Sequence, residues 1–231
     1  MDDFLIGKRL IGKDHKPFII AELSGNHGGS LDRALDLIKS AADTGADAVK
    51  FQTYTPDTIT IRSDREEFLI NDPSSLWHGR TLYDLYEEAH TPWEWHAPMF
   101  ELARSLGIEV FSSPFDLSSV DFLEDLDVSA YKIASLEISD VQLIKKVAQT
   151  KKPLIMSTGA AKLEDIENAI KIAKENGATK IILLKCTSAY PALPEDANLR
   201  SMATLSRLFN CHVGLSDHTL GTAVSIASIA L

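Results

Sequence analysis

The chain has 231 residues, 45% of them apolar and 24% charged, with 12 glycines and 9 prolines. That usage excludes collagen-like, fibrous and disordered classes and leaves room for one sizeable core, so a single domain is expected. Asp and Glu number 33 against 23 Lys and Arg, a net charge of −10, which repels phosphate backbones and anionic bilayers and argues against nucleic acid as a partner.

Residues 4–11 alternate around Gly7 and Lys8 and suit a small N-terminal hairpin at the bottom of a larger sheet. Short β-branched, apolar runs then recur at 17–22, 48–51, 109–112, 130–133, 154–157, 180–185 and 213–216, which makes seven strands. Between them lie segments of helical period. Ser30 is expected to cap a helix over 31–44, Thr91 to precede one with Pro92 at its first position, and Ser139 to precede one over 140–150. Gly45, Gly107 and Gly177 each follow such a segment, where a left-handed cap suits glycine. The long polar stretch 53–80, with Pro56, Pro73 and Trp77, is read as a loop over the substrate. Residues 222–231 read as a helix still in progress at the last residue.

Strict alternation of helices with strands apolar on both faces predicts an α/β fold with a parallel sheet. No G-x-G-x-x-G follows the first strand, and polar residues stand at the ends of all the strands, which favours a (β/α)8 TIM barrel over a doubly wound sheet. Seven strands leave the eighth expected beyond Leu231, so residues 1–231 are read as one barrel domain, incomplete at its C-terminus. The apolar run 222–231 is about half of a bilayer-spanning length, so no membrane span is expected. Two cysteines, Cys186 and Cys211, are too few for a disulfide scaffold, and no signal segment opens the chain, so a cytoplasmic setting is expected.

The strand ends deliver Glu22, Lys50 with Gln52, Ser112 with Ser113, Lys132 with Ser135, Ser157 with Thr158, Lys185 with Ser188, and Ser216-Asp217-His218. Lys50, Lys132 and Lys185 stand inside apolar runs, and a buried ammonium costs several kcal/mol unless an anion pairs with it. Only Glu22 and Asp217 among these residues could supply one, so an anionic ligand is expected, held also by the small hydroxyls. Other readings stay open at this point. A strand lysine can simply reach solvent, or act as a Schiff-base nucleophile; the Gly25–Ser30 turn can cradle an anion or be only a tight turn. His218 can ligate a metal, carry a proton or contact a helix start. Cys186 reads as a packed thiol without a partner base, and Cys211 as structural.

Six motifs in order carry a resemblance: Ala21-Glu22-Leu-Ser-Gly-Asn-His27, Gly45-Ala-Asp-Ala-Val-Lys-Phe-Gln52, Tyr131-Lys-Ile-Ala-Ser135, Ser157-Thr-Gly159, Lys185-Cys-Thr-Ser-Ala-Tyr-Pro191 and Leu215-Ser-Asp-His-Thr219. Together they resemble the sialic acid synthase family, with further matches to its pseudaminic acid branch such as Thr91-Pro-Trp-Glu-Trp-His96 and Ser112-Ser-Pro-Phe-Asp116. The resemblance implies a metal-dependent condensation of phosphoenolpyruvate with an open-chain N-acetylated amino sugar, giving a nine-carbon 2-keto acid and phosphate. It implies that Lys50, Ser113, Lys132, Ser135, Ser157, Ser188 and Ser216 hold phosphoenolpyruvate. Glu22 and Tyr190 would meet the sugar, and His218 would ligate Mn2+ or Mg2+. Glu22, Lys50, Lys132 and His218 are the catalytic candidates. A sialic or legionaminic acid synthase, and a non-catalytic sugar-phosphate-binding fragment, are the alternatives. The family's second metal histidine, in a Glu-Lys-His motif, and its antifreeze-like C-terminal domain have no counterpart in this sequence; the full-length protein is expected to be a homodimer.

Overall fold

The computed structural model describes residues 1–73, 75 and 77–231. Ser74 and Leu76, within the stretch expected as a loop, lie outside the described residues. The chain divides into two compact units, one of Met1–Phe18 with Ser129–Leu231 and one of Ile19–Val128.

The hairpin β1 (Phe4–Ile6) and β2 (Arg9–Ile11) pairs antiparallel with Phe4 opposite Ile11, as the alternation predicts. Gly7 turns it with a φ of 54°, which glycine adopts without strain. The hairpin belongs to the same unit as residues 129–231 and touches His212 there, with the Phe4 ring edge-on to His212 and the His212 Nε2 3.0 Å from the Asp2 carbonyl.

The Ile19–Val128 unit follows with β3 (Ile20–Glu22), α1 (Leu31–Asp43), β4 (Ala48–Thr53), α2 (Pro56–Ile59), α3 (Leu82–Ala89), α4 (Trp93–Ser105), β5 (Glu109–Pro114) and α5 (Leu117–Asp125). Its strands pair in parallel in chain order, β3 with β4 and β4 with β5. Ser30 caps α1 as expected, its hydroxyl accepting from the Arg33 N–H. Two expectations need correction. The helix after Thr91 begins at Trp93 with Pro92 as its cap residue, and the Thr91 hydroxyl is 3.1 Å from His27 instead. The stretch 53–80 is also more structured than a loop. Thr55 and Thr58 form a reciprocal capping box around the one-turn α2, Glu66–Phe68 form a 3-10 turn, and Leu69 bridges Thr81.

The other unit continues with β6 (Tyr131–Ile133), α6 (Val141–Gln149), β7 (Leu154–Ser157), α7 (Leu163–Glu175), β8 (Ile181–Cys186), α8 (Ser201–Phe209), β9 (His212–Ser216) and α9 (Ala223–Ile229). The four strands again pair in parallel and in chain order. Asp140, one residue later than expected, caps α6 by accepting from the Gln142 and Leu143 N–H groups. Gly45, Gly107 and Gly177 take φ values of 85°, 77° and 105° at the helix ends where the sequence places them. Seven parallel strands in chain order, each followed by at least one helix, are the β/α repeat of the barrel class; the fold is α/β of the TIM-barrel type. Among the described residues no helix is long and apolar enough to cross a membrane.

The turn between β3 and α1 is held by its own hydrogen bonds. The Asn26 N–H bonds the Leu23 carbonyl, Gly28 bonds Gly25, Ser30 bonds His27, and the Gly29 N–H donates to the His27 ring. These bonds are those of a packed tight turn. His27 is buried, with its ring edge-on to Trp95. Gly25 lies against the end of α3, and a Cβ there would sit 2.6 Å from the Ala89 carbonyl oxygen. Gly25→Ala is expected to cost about 1–3 kcal/mol, since backbone rather than a flexible side chain must move; a thermal midpoint equal to that of the parent would refute the close approach.

Candidate active site

Strand pleating sorts the residues of the Ile19–Val128 unit. In β4 and β5 the register sets Gln52 beside Ser113 and Phe51 beside Ser112, so Lys50, Gln52 and Ser113 share one face and Phe51, Thr53 and Ser112 the other. On the first face the Lys50 ammonium forms an ion pair with Glu22 Oε2 and stands 3.5 Å from Ser113 Oγ. Lys50 is buried, whereas the Glu22 side chain is 42% exposed. The other Glu22 oxygen accepts from Ser24, at 2.6 Å from its hydroxyl and 3.1 Å from its N–H. On the opposite face Thr53 Oγ1 lies 2.7 Å from Ser112 Oγ and 2.9 Å from His96 Nε2, all fully buried. Ser112, one of the polar strand-end residues, thus belongs to an internal network against α4. Burial brings His96 down to about 4, so the ring is neutral.

The unit containing β6 to β9 sorts the same way. Its register places Lys132, Ser157, Cys186 and Ser216 on one face and Lys185 on the other. The Lys185 ammonium donates to the Cys186 carbonyl at 2.9 Å and the Thr187 hydroxyl at 3.1 Å. It is satisfied locally and calls for no anion, and with Lys50 paired to Glu22 the expectation of three ligand-seeking lysines reduces to Lys132. Asp217 is not their counter-ion either, because its carboxylate accepts from the Thr219 N–H and hydroxyl and from the Ser225 hydroxyl at the start of α9.

Lys132 is the distinctive group. It is 8% exposed, and among the described residues no carboxylate lies within ion-pair distance of its ammonium. Burial brings it down to about 8, while the charges of Cys186 and Glu137 act against that. Ser157 Oγ, on the same face, is buried without a hydrogen-bond partner among the described residues. Ser135 Oγ accepts from the Gly159 N–H at 3.2 Å. A buried ammonium with no carboxylate within ion-pair distance and a hydroxyl without a partner among the described residues, on one strand face, form a place for an anion's oxygens.

Two groups were missed in the sequence. Glu137, in the 3-10 turn Glu137–Ser139 after β6, has Oε2 buried without a hydrogen bond, and burial raises its carboxyl while Lys132 pulls the other way. Cys186 is not a thiol among apolar groups alone: its sulfur is 3.9 Å from His218 Nδ1 and 3.8 Å from Ser188 Oγ. Burial alone would raise this thiol, but hydrogen bonds from His218, Ser135 and Ser188 outweigh it and set it at about 6.

His218 Nδ1 lies 2.9 Å from the Thr187 carbonyl oxygen, which can only accept, so Nδ1 carries the proton and Nε2 keeps its lone pair. That arrangement fits a metal ligand. Among the described residues, however, no cluster of three or more His, Cys, Asp or Glu could complete a metal site. The Tyr190 ring, 80% exposed, lies 4.3 Å from that of His218, between centroids. Ser216 ends β9 beside Cys186 in register. The structure thus gathers Glu22, Lys50 and Ser113 in one unit, and Lys132, Ser135, Ser157, Ser188, Tyr190, Ser216 and His218 in the other.

The profile of the NeuB family matches residues 37–231. The chain is 50% identical to a pseudaminic acid synthase of Campylobacter jejuni over 94% of its own length and 63% of that protein's. It is 46% identical to the pseudaminic acid synthase of Helicobacter pylori over 93% and 63%. Among solved structures, a sialic acid synthetase from Leptospira borgpetersenii in complex with citrate superposes with a TM-score of 0.87 and 31% identity, covering 99% of this chain and 74% of that one. The chain thus spans about 63% of the length of these curated relatives. The chain belongs to the NeuB family, the sialic acid synthases, and within it is close in sequence to the pseudaminic acid synthases.

Proposed function

We propose that the intact protein is a pseudaminic acid synthase, condensing phosphoenolpyruvate with 2,4-diacetamido-2,4,6-trideoxy-L-altrose to give pseudaminic acid and phosphate. The observation that carries this reading is Lys132, a buried ammonium that among the described residues has no carboxylate within ion-pair distance, with the Ser157 hydroxyl, unpartnered among those residues, on the same strand face. Such a pair suits a small dianion, and the names of the relatives supply the product class. In this reading residues 1–231 are the barrel domain of the synthase, and the intact enzyme is a cytoplasmic homodimer.

The chemistry needs C3 of phosphoenolpyruvate to attack the sugar's aldehyde carbon, water to add at C2, and the C–O bond to phosphate to break. Lys132, Ser135, Ser157, Ser188 and Ser216, together with Lys50 and Ser113 from the sequence resemblance, are the proposed phosphoenolpyruvate-binding residues. Their fixed charges offset the negative charge that stays on these groups throughout. Glu22 and Tyr190 meet the acceptor, and Glu22 handles the proton of an acceptor hydroxyl. His218 Nε2 would be the ligand this chain offers to Mn2+ or Mg2+. When bound, the metal polarises the aldehyde as a Lewis acid.

The experiment is an assay of the full-length protein with phosphoenolpyruvate and a panel of acetamido and diacetamido sugars, following both phosphate release and the nine-carbon product. Metal-dependent product formation that is fastest with the diacetamido-trideoxy-altrose is the expected result. Preference for N-acetylmannosamine or for the legionaminic acid precursor would overturn the acceptor assignment. Trapping of a borohydride-reducible lysine adduct with pyruvate would overturn the reaction class.

A further inference from the structure

We propose that Ser24 is a positioning residue that fixes the carboxylate of Glu22 for its work on the acceptor; this rests on the function proposed above. Glu22 stands at the last position of β3 with its side chain 42% exposed, where a free carboxylate would sample several rotamers. Both its oxygens are instead tied down. The Lys50 ammonium takes Oε2, and Ser24 takes Oε1 with two donors, its hydroxyl at 2.6 Å and its N–H at 3.1 Å.

The backbone around Ser24 makes this clamp possible. Ser24 has a φ of 40°, in the left-handed region that a non-glycine residue occupies at a cost and only when its surroundings impose it. Those surroundings are on both sides. The preceding Leu23 N–H bonds the Lys50 carbonyl at 2.9 Å, which registers the segment on β4. The following Gly25 is pressed on the Ala89 carbonyl, and buried His27 ties the turn to Thr91 and to the Gly29 N–H. Anchored at Leu23 and at Gly25–Ser30, the chain turns Ser24 back so that N–H and hydroxyl converge on one carboxylate oxygen. A residue strained in its backbone and aimed at a candidate catalytic carboxylate fits a positioning role better than a packing one, because its side chain contributes little apolar contact.

Ser24→Gly tests this without a folding penalty, since glycine prefers the φ that serine is forced to adopt. It removes the hydroxyl and keeps the N–H. In the full-length enzyme, kcat/KM for the sugar should fall about tenfold or more, while phosphoenolpyruvate affinity changes less than twofold and the thermal midpoint does not drop. In a Glu22→Ala background the same substitution should have no further effect, because a residue that acts only through Glu22 has nothing left to position. Unchanged sugar kinetics in Ser24→Gly would overturn the proposal. So would a full additional loss in the Glu22→Ala background, or a parallel loss for both substrates. Absence of any nonulosonic acid product from the parent enzyme would instead overturn the function on which the proposal rests.

Discussion

Replacing Lys132 with alanine in the full-length protein is expected to weaken phosphoenolpyruvate binding by at least tenfold while leaving the unliganded fold as stable as before or more so. The two effects have one cause. The ammonium is 8% exposed, has no carboxylate within ion-pair distance among the described residues, and is brought down to about 8 by burial. Its desolvation is therefore a cost to the empty protein, and alanine removes it. A charge-assisted contact to an anion in such a site contributes about 1.5–3 kcal/mol, which is roughly tenfold to a hundredfold in affinity. Arginine should not restore binding, because a planar fork does not fit where a compact ammonium sits. The pH dependence has a definite sign. In the free protein Lys132 loses its proton as pH rises through about 8, so phosphoenolpyruvate affinity should fall above that value and be flat below it as far as this lysine is concerned. Calorimetric titration of parent and variant between pH 7 and 9.5 measures both. Equal affinity in a folded Lys132→Ala protein would remove Lys132 from the anion site.

Much of the architecture was legible because it rests on short-range chemistry. Strands apolar on both faces alternate with helical periods, and Gly45, Gly107 and Gly177 mark helix ends where only a residue without Cβ turns left-handed at no cost. The cap at α6 was misplaced by one residue because Ser139 and Asp140 are both good cap residues, and Asp140 is the one whose carboxylate reaches two N–H groups. Within 53–80, the Thr55-Pro56-Asp57-Thr58 box was a readable start signal for α2, obscured by the prolines and polar residues around it.

The candidate site divides along the same line. Strand-end residues such as Glu22, Lys50 and Lys132 can be listed from periodicity alone, and counting by two would already have set Ser112 and Ser113 on opposite faces and Lys185 opposite Cys186. What one sequence withholds is contact between distant residues. Cys186 meets His218 across 32 positions, and Thr53 meets His96 across 43. Glu137 sits in an irregular turn, where no period says which way a side chain points.

The buried network against α4 carries the second large effect. His96 is fully buried, with Nδ1 3.2 Å from the Pro92 carbonyl and Nε2 2.9 Å from the Thr53 hydroxyl. A carbonyl only accepts, so Nδ1 holds the proton and Nε2 accepts from Thr53, which leaves no place for a second proton. Burial accordingly lowers the ring to about 4 from 6.5. Because the folded value lies below the unfolded one, the unfolded chain takes up the proton first, and stability is lost as pH falls from about 6.5 toward 4. A difference of that size amounts to roughly 3 kcal/mol over the window. His27 is also lowered by burial and adds a slope of the same sign. His96→Leu should therefore be less stable than the parent at pH 7.5 by about 1–3 kcal/mol, because Thr53 loses an acceptor in the core. It should lose stability more slowly on acidification, since one fewer proton is taken up on unfolding. Urea denaturation of both proteins at intervals from pH 7.5 to 4.5 gives the two curves, whose separation must shrink toward acid. Parallel curves would mean that folding does not shift the titration of His96 and would refute a ring held neutral by burial.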